Sequence, residues 1–561
     1  MNSPTPALVT QRGVRRLPRP ALLLFCAAYV LPGVFSRDPW RNADVTAFGQ
    51  MAAIADGRSA WLAPTLGGVA GGAALLPHWL GALFIKLLSP LLAPDLAARL
   101  PFAALLALTL ALVWYTSFQL ARTEAAQPLA FAFGGEAHPV DYARAIADGA
   151  LLALIACLGL LQLGHETTPE LAQLFGVGLF LWALSAAPYR RLAPRLGAIA
   201  ALLVLAGRGA PSIGLAIGVG GSLVCWRSRY AAVRRFVPWV AGGTAAAALL
   251  ATAIGAWRLR IAVPSAGDWP LIARQWIWFL WPAWPLVLWT LWRWRSHLLD
   301  RHIAVPLISV LAAAGANVAM DGSDRALMLA LPGMAVLASF ALPTLKRNTS
   351  AAIDWFSMSF FTVAAITIWV IYVAVHTGVP AQPAANVARL APGFVARFDP
   401  VELLLAAAGT LAWLWLVRWR TGRHREAVWK SLVLPAGGVA LCWLLLMTLW
   451  LPLLDYARSS RPLVQRIAAH VPPTACIAGP GMSPVLVASL QVFGPWRVDA
   501  RPDALDDGCA YALRVVRAGP APVAPPGWRF VAAVRRPTDR DDLTVIYARD
   551  TTPSSTAAPA R

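Results

Sequence analysis

The chain has 561 residues, 58% of them hydrophobic and only 13% charged, against roughly 25% charged in an average soluble protein. Apolar runs of membrane-spanning length recur along most of it, which excludes a soluble globular protein. The formal net charge of +21 does not mark a nucleic-acid binder, because Lys and Arg cluster in short loops between apolar runs and no basic soluble domain or RNA-binding motif is present.

Residues 1–19 form a basic N-terminus, expected in the cytoplasm. The apolar run 20–36 follows without a small-x-small cleavage site, so it reads as an uncleaved first helix. Residues 37–98 read as one large external loop, opening on RDPWRNADVTAFG (37–49). Within it, 75–92 is short and carries His78 and Lys86, which suits the membrane interface better than a crossing. Further apolar segments lie at 100–121, 146–163, 171–187, 192–206, 210–225, 236–257, 271–292, 303–320, 325–344, 354–377, 401–419 and 432–454. Pro282 and Pro285 should kink the segment 271–292.

Charge then selects the topology. With 75–92 in the interface, the basic loops 189–195, 226–235, 293–302, 345–348 and 418–430 all face the cytoplasm. The loops 164–170, 207–212, 263–270, 321–325 and 378–400, sparse in Lys and Arg, face outward. Counting 75–92 as a crossing reverses this. The reading is a polytopic α-helical membrane protein with thirteen transmembrane helices, N-terminus in and C-terminus out, its membrane module spanning 20–456.

Residues 457–550 change composition. Runs such as PVLVASLQVFG, CAYALRVV, WRFVAAV and LTVIYARD look strand-like between Pro, Gly and Asp turns, so a small periplasmic α/β domain is expected. Cys476 and Cys509 fall in it, either as a disulfide suited to an oxidising compartment or as two buried thiols. Residues 551–561 read as a disordered tail.

On this topology the unusual polar groups gather on the outer side: Arg37, Asp38, Arg41, Asp44, His78 and Lys86 in the first loop, His165 and Glu166 in the second, Arg208 in the third, and Asp321, Asp324 and Arg325 in the fifth. Carboxylates and guanidiniums together suit an anionic substrate and a base. Plainer roles stand beside these: Asp38 before Pro39 as a turn former, Asp44 as a helix cap, Gly207-Arg208-Gly209 as a tight connection, His165-Glu166 as a solvated turn, Asp324-Arg325 as a local ion pair. No tight His/Asp/Glu ligand spacing indicates a metal, although a divalent ion remains compatible.

The order of motifs resembles a known family. A basic N-terminus, one helix and RDPW…AD precede PHWLGALFIKLLSPLLAPDLAARLPFA (77–103), with VLAGRGAPSIGL (204–215) and SDRALMLALPGMAVL (323–337) further on. This resembles the membrane-embedded GT-C glycosyltransferases, in particular the bacterial protein O-mannosyltransferases and the lipid A aminoarabinose transferases. The resemblance implies an inner-membrane enzyme of the cell envelope that moves a sugar from a polyprenyl-phosphate carrier, with inversion, to a lipid, glycan or protein acceptor, without a cofactor. It implies Asp44 as the catalytic carboxylate. Arg325 and Arg208 are then phosphate-holding cations, and Arg37, Asp38, Arg41, His78, Lys86, His165, Glu166 and Asp324 are substrate-binding candidates. The chain departs from the family pattern at Val45, where a second acidic residue is common, and at Ala74-Leu75-Leu76-Pro77-His78, which lacks the family's Lys. Two other classes stand against this reading: a lipid or glycan transporter, and a catalytically inactive scaffold of the same fold.

Overall fold

Lipid offers no partner to a backbone N–H or C=O, so apolar segments of this length satisfy their own hydrogen bonds as helices. A computed structural model of the chain describes residues 7–550 except 72–74, 132, 208–209, 258–261, 263, 423–426, 507, 518 and 520–522. The expected disordered tail 551–561 and the candidate Arg208 therefore lie outside the described residues.

Among the described residues, seven helices are long and apolar enough to cross a membrane: Pro94–Ala121, Pro169–Ala186, Ala231–Ala253, Arg301–Ala319, Arg347–Thr377, Pro400–Thr421 and Val428–Leu446. The other expected crossings are also helical but shorter or interrupted, such as Arg19–Val30, Leu192–Ala206 and Pro211–Trp226. The kink expected at Pro282 is a full break, between Trp269–Phe279 and Ala283–Arg293. Several helices begin on proline, among them Pro94, Pro139, Pro169, Pro211, Pro400 and Pro484, where the missing N–H would have had no intrahelical partner. The 31-residue helix ends on Gly378 at φ +78°, a conformation that a side chain disfavours.

The segment 37–98 holds two helices, Ala43–Ala55 and Leu75–Leu88, joined through a short hairpin that pairs Thr65–Leu66 with Val69–Ala70. Leu75–Leu88 has 14 residues and rises about 21 Å, short of the ~30 Å hydrocarbon core.

The C-terminal part forms a five-stranded sheet from β1 (Cys476–Ala478), β2 (Arg497–Asp499), β3 (Tyr511–Arg517), β4 (Trp528–Val534) and β5 (Asp542–Arg549). Its spatial order is β2-β1-β3-β5-β4. The first pairings, β1 with β2 and β1 with β3, are parallel, and β5 runs antiparallel to β3 and β4. One expectation fails here: PVLVASLQVFG is the helix Pro484–Phe493. Its Ser483 cap accepts from Leu486 N–H, and the helix supplies the crossover that parallel β1 and β2 require. Cys476 and Cys509 are joined as a disulfide.

This part rests on the first loop. Val45 and Leu66 belong to the same apolar cluster as Val487, Leu490 and Ile546. Gly49 lies so close to the helix Pro484–Phe493 that a Cβ there would stand 2.8 Å from Ala488 Cβ. Ala500 N–H donates to Gly67 O at 2.8 Å.

Candidate active site

The helix Ala43–Ala55 begins beside the loop between Pro139–Ala156 and Pro169–Ala186, and Asp44 is the residue that ties the two. Its Oδ1 accepts from Thr167 N–H at 2.9 Å and from Thr167 Oγ1 at 2.7 Å. Its Oδ2 accepts from Trp40 N–H at 3.0 Å, closing the first helical turn, and lies 3.2 Å from Arg37 Nη2. Asn42, the residue before the helix, sits at φ +77° and ψ −123°, outside the left-handed helical region that asparagine favours.

Arg37 and Asp44 are both buried. Arg37 also donates from Nη2 to His165 O at 2.8 Å and from Nε to Gly33 O at 3.3 Å, while its Nη1 meets no acceptor. Arg99, in the first turns of Pro94–Ala121, donates to Val34 O at 3.2 Å and pairs with Asp95 at 3.3 Å, but its Nη2 meets no acceptor. Burial pushes the Asp44 carboxyl upward, yet Arg37, Arg99 and the two Thr167 donors outweigh it and hold Asp44 below the ordinary carboxylate range. A narrow cavity with about 250 Å³ of empty space opens here, lined by Val34, Arg99, Phe102, His165 and Thr167 among others.

His165 is held as a bolt. Its Nδ1 faces Leu161 O at 2.7 Å and its Nε2 faces Tyr29 O at 2.8 Å, with its ring against Trp443. Burial drives the imidazole down to about 4, against the pull of the two carbonyls. A neutral ring donates to one of them.

Glu166 faces the other way. Arg325 Nη2 reaches its Oε2 at 2.6 Å and Gln162 Nε2 its Oε1 at 2.9 Å. Arg325 also lies 3.3 Å from Glu170. Burial and then the neighbouring Asp44 push the Glu166 carboxyl upward, and Arg325 pulls it back only in part.

The chain continues through Gln162, which bonds Arg458, whose guanidinium covers the Trp40 ring at 5.0 Å. Arg37 packs against the same ring, 4.8 Å from its centroid. Trp40 Nε1 donates to Asp455 at 2.7 Å, and Asp38 N–H donates to the same carboxylate at 3.2 Å. Burial lifts Asp455 to about 7, opposed by the Trp40 bond and reinforced by Asp38.

Of the sequence candidates, Arg37, His165, Glu166 and Arg325 thus join Asp44. Asp38 forms a two-bond pair with Arg461, at 2.6 and 2.9 Å. Arg41 turns to Asp539 in the C-terminal part at 3.0 Å. His78 is buried in the helix Leu75–Leu88, Lys86 is exposed near its end, and Asp324 is exposed at the start of Asp324–Met328. Four participants escaped the sequence reading: Arg99, Thr167, Asp455 and Arg458. Arg99 was visible as the Arg of PDLAARLPFA, inside a resembling motif; the others carried no local signal.

The fold as a whole is shared with solved structures. The crystal structure of ArnT from Cupriavidus metallidurans bound to undecaprenyl phosphate matches with a TM-score of 0.60 at 16% identity, over 97% of this chain and 100% of that one. The apo structure of the same ArnT matches with a TM-score of 0.58 at 14% identity, over 94% and 98%. The chain shares the fold of this ArnT. No family model matches the sequence, and neither does any curated protein. The likeness covers the helical module and the C-terminal sheet together, over nearly the whole chain. Among the described residues, no three His, Cys, Asp or Glu side chains form a group able to hold a metal ion.

Proposed function

We propose that this chain is an inner-membrane glycosyltransferase that passes a sugar from a polyprenyl-phosphate donor to a lipid, glycan or protein acceptor at the periplasmic face. The observation that carries the reading is the surplus of buried guanidinium around one buried carboxylate. Arg37 and Arg99 both act on Asp44, and each keeps one nitrogen without an acceptor. A buried donor left unmade costs ~1–3 kcal/mol, a cost that phosphate oxygens would relieve.

In this reading the acceptor oxygen attacks the anomeric carbon on the face opposite the phosphate. The new C–O bond forms as the bond to phosphate breaks, and polyprenyl phosphate leaves with the electron pair. The acceptor proton passes to the Asp44 carboxylate. Ionised at neutral pH, Asp44 becomes a better base when a phosphate draws on Arg37 and Arg99 and weakens their hold on it. Arg325 is the further cation for the leaving group, since a guanidinium grips phosphate bidentately. No resident cofactor is invoked.

The test is Asp44→Asn in membranes supplied with radiolabelled polyprenyl-phosphate sugar, alongside a thermal-unfolding check. Transfer should fall by about 10²–10⁴-fold; undiminished transfer sinks the role. A phosphatase fusion after residue 460 should be active if the C-terminal part is periplasmic. A second reading, a catalytically inactive scaffold, is favoured by one observation: every Asp44 oxygen already has protein partners. It predicts no transfer from the unaltered protein.

A further inference from the structure

A second cavity, lined by none of the residues around Asp44, opens where the helix Arg347–Thr377 ends and Pro400–Thr421 begins. It is a narrow groove, partly open to its surroundings. Its wall is apolar, with Ile371, Trp450 and Leu453, and its rim carries Tyr372, Arg397 and Glu402. Trp450 is fixed by its indole N–H, which donates to Ile368 O at 3.0 Å. The turn that holds Trp450 runs directly into Leu451–Arg458, the helix of Asp455.

Arg397 and Glu402 line the same cavity, yet among the described residues neither side chain makes a hydrogen bond or an ion pair within 4.0 Å. Asp399 stands beside Glu402, its carboxylate accepting from Val401 and Glu402 N–H at the helix start. The cavity is therefore lined by both a cation and a carboxylate, with Arg397 near enough to act on Glu402 electrostatically. The two helices that frame it also carry exposed apolar side chains, including Val370, Val373, Val401, Leu404 and Leu405.

We propose that this cavity seats a zwitterionic phospholipid. The phosphodiester meets Arg397, the ammonium meets Glu402 and the ring faces of Tyr372 and Trp450, and an acyl chain runs along the apolar helix surfaces. A cation over an aromatic face and a charge-assisted bond to a carboxylate both reward the ammonium. Glu402 and Asp399 repel a headgroup whose only charge is negative, so an anionic lipid is selected against. The assignment does not depend on the glycosyltransferase reading.

The test is native mass spectrometry of the full-length protein after equilibration with equimolar phosphatidylethanolamine and phosphatidylglycerol of identical acyl chains. One phosphatidylethanolamine should be retained in preference by about tenfold, the discrimination of one charge-assisted hydrogen bond. Glu402→Gln should bring the two lipids close to parity, and Arg397→Gln should lower retention of both. Neither variant removes an internal side-chain bond, and unchanged unfolding temperatures verify that both fold. Leu453→Trp, which fills the cavity, should abolish retention. Equal retention of both lipids by the unaltered protein, or a preference that survives Glu402→Gln, overturns the proposal. Soluble glycerophosphoethanolamine at the same concentration should not displace the lipid; displacement would mean that the headgroup alone is read and would end the lipid assignment.

Discussion

Arg37 and Asp44 stand 3.2 Å apart with both side chains out of solvent, and this pair organises everything around it. Arg37 fastens the end of the first helix to the His165 carbonyl, and Asp44 fastens the next helix to Thr167. The two loops of the candidate site are therefore held by one buried charge pair.

Breaking that pair from one side leaves an uncompensated buried charge, which costs ~3–5 kcal/mol. Arg37→Met should lower the unfolding temperature in detergent, and so should Asp44→Asn, which keeps the shape but leaves the buried Arg37 without its counter-charge. A double variant, Arg37→Met with Asp44→Leu, should regain much of the stability lost by Arg37→Met while transfer stays abolished. A double variant less stable than Arg37→Met alone would contradict this account.

Asp455 makes stability depend on pH. Its folded pKa of about 7 lies above the ~3.9 of an unfolded aspartate, so the folded state holds the proton more tightly. The resulting stability is full below about pH 4, declines as pH rises, and is lost above about pH 7. Burial is the main cause, with Asp38 adding to it and Trp40 and Arg37 opposing. Unfolding midpoints measured from pH 5 to 8 should fall more steeply in the unaltered protein than in Asp455→Asn. Parallel slopes would remove Asp455 as the source.

What the sequence made legible follows from which forces are local. Lipid solvation writes helices into composition, and the sign of loop charge told Arg37, Asp44, Glu166 and Arg325 apart from the basic loops. Their meeting needed only helix ends on one face. The partners supplied by packing were invisible: Thr167 reaches Asp44 across 123 residues and Asp455 reaches Trp40 across 415. The segment 484–493 was misread because a short buried run reads alike as helix or strand. Its Ser483-Pro484 start was the overlooked cap signal.

Docking of the C-terminal part should depend on packing more than on charge. Gly49→Val would drive its side chain into Ala488, whose Cβ lies 2.8 Å from where a Cβ at 49 would stand. Overpacking of this kind costs ~1–3 kcal/mol. Arg41 and Asp539 form a partly exposed pair worth ~0–1 kcal/mol. Limited proteolysis near residue 460 should accelerate in Gly49→Val and change little in Arg41→Ala. The reverse ranking would show that charge holds the two parts together.

Arg325 offers the sharpest division between holding the fold and holding a substrate. It grips Glu166 at 2.6 Å and Glu170 at 3.3 Å, so any phosphate must compete with two carboxylates. Glu166→Gln removes the nearer charge and leaves the guanidinium more available; donor KM should then fall by about threefold or more, with kcat little changed. Arg325→Ala should raise donor KM by about tenfold, the equivalent of ~1.4 kcal/mol. It should also destabilise the fold, because Glu166 would remain buried without its cation. Initial rates against donor concentration separate the two roles. A donor KM that moves in neither variant would leave Arg325 as a structural clamp and pass the phosphate-holding role to Arg37 and Arg99.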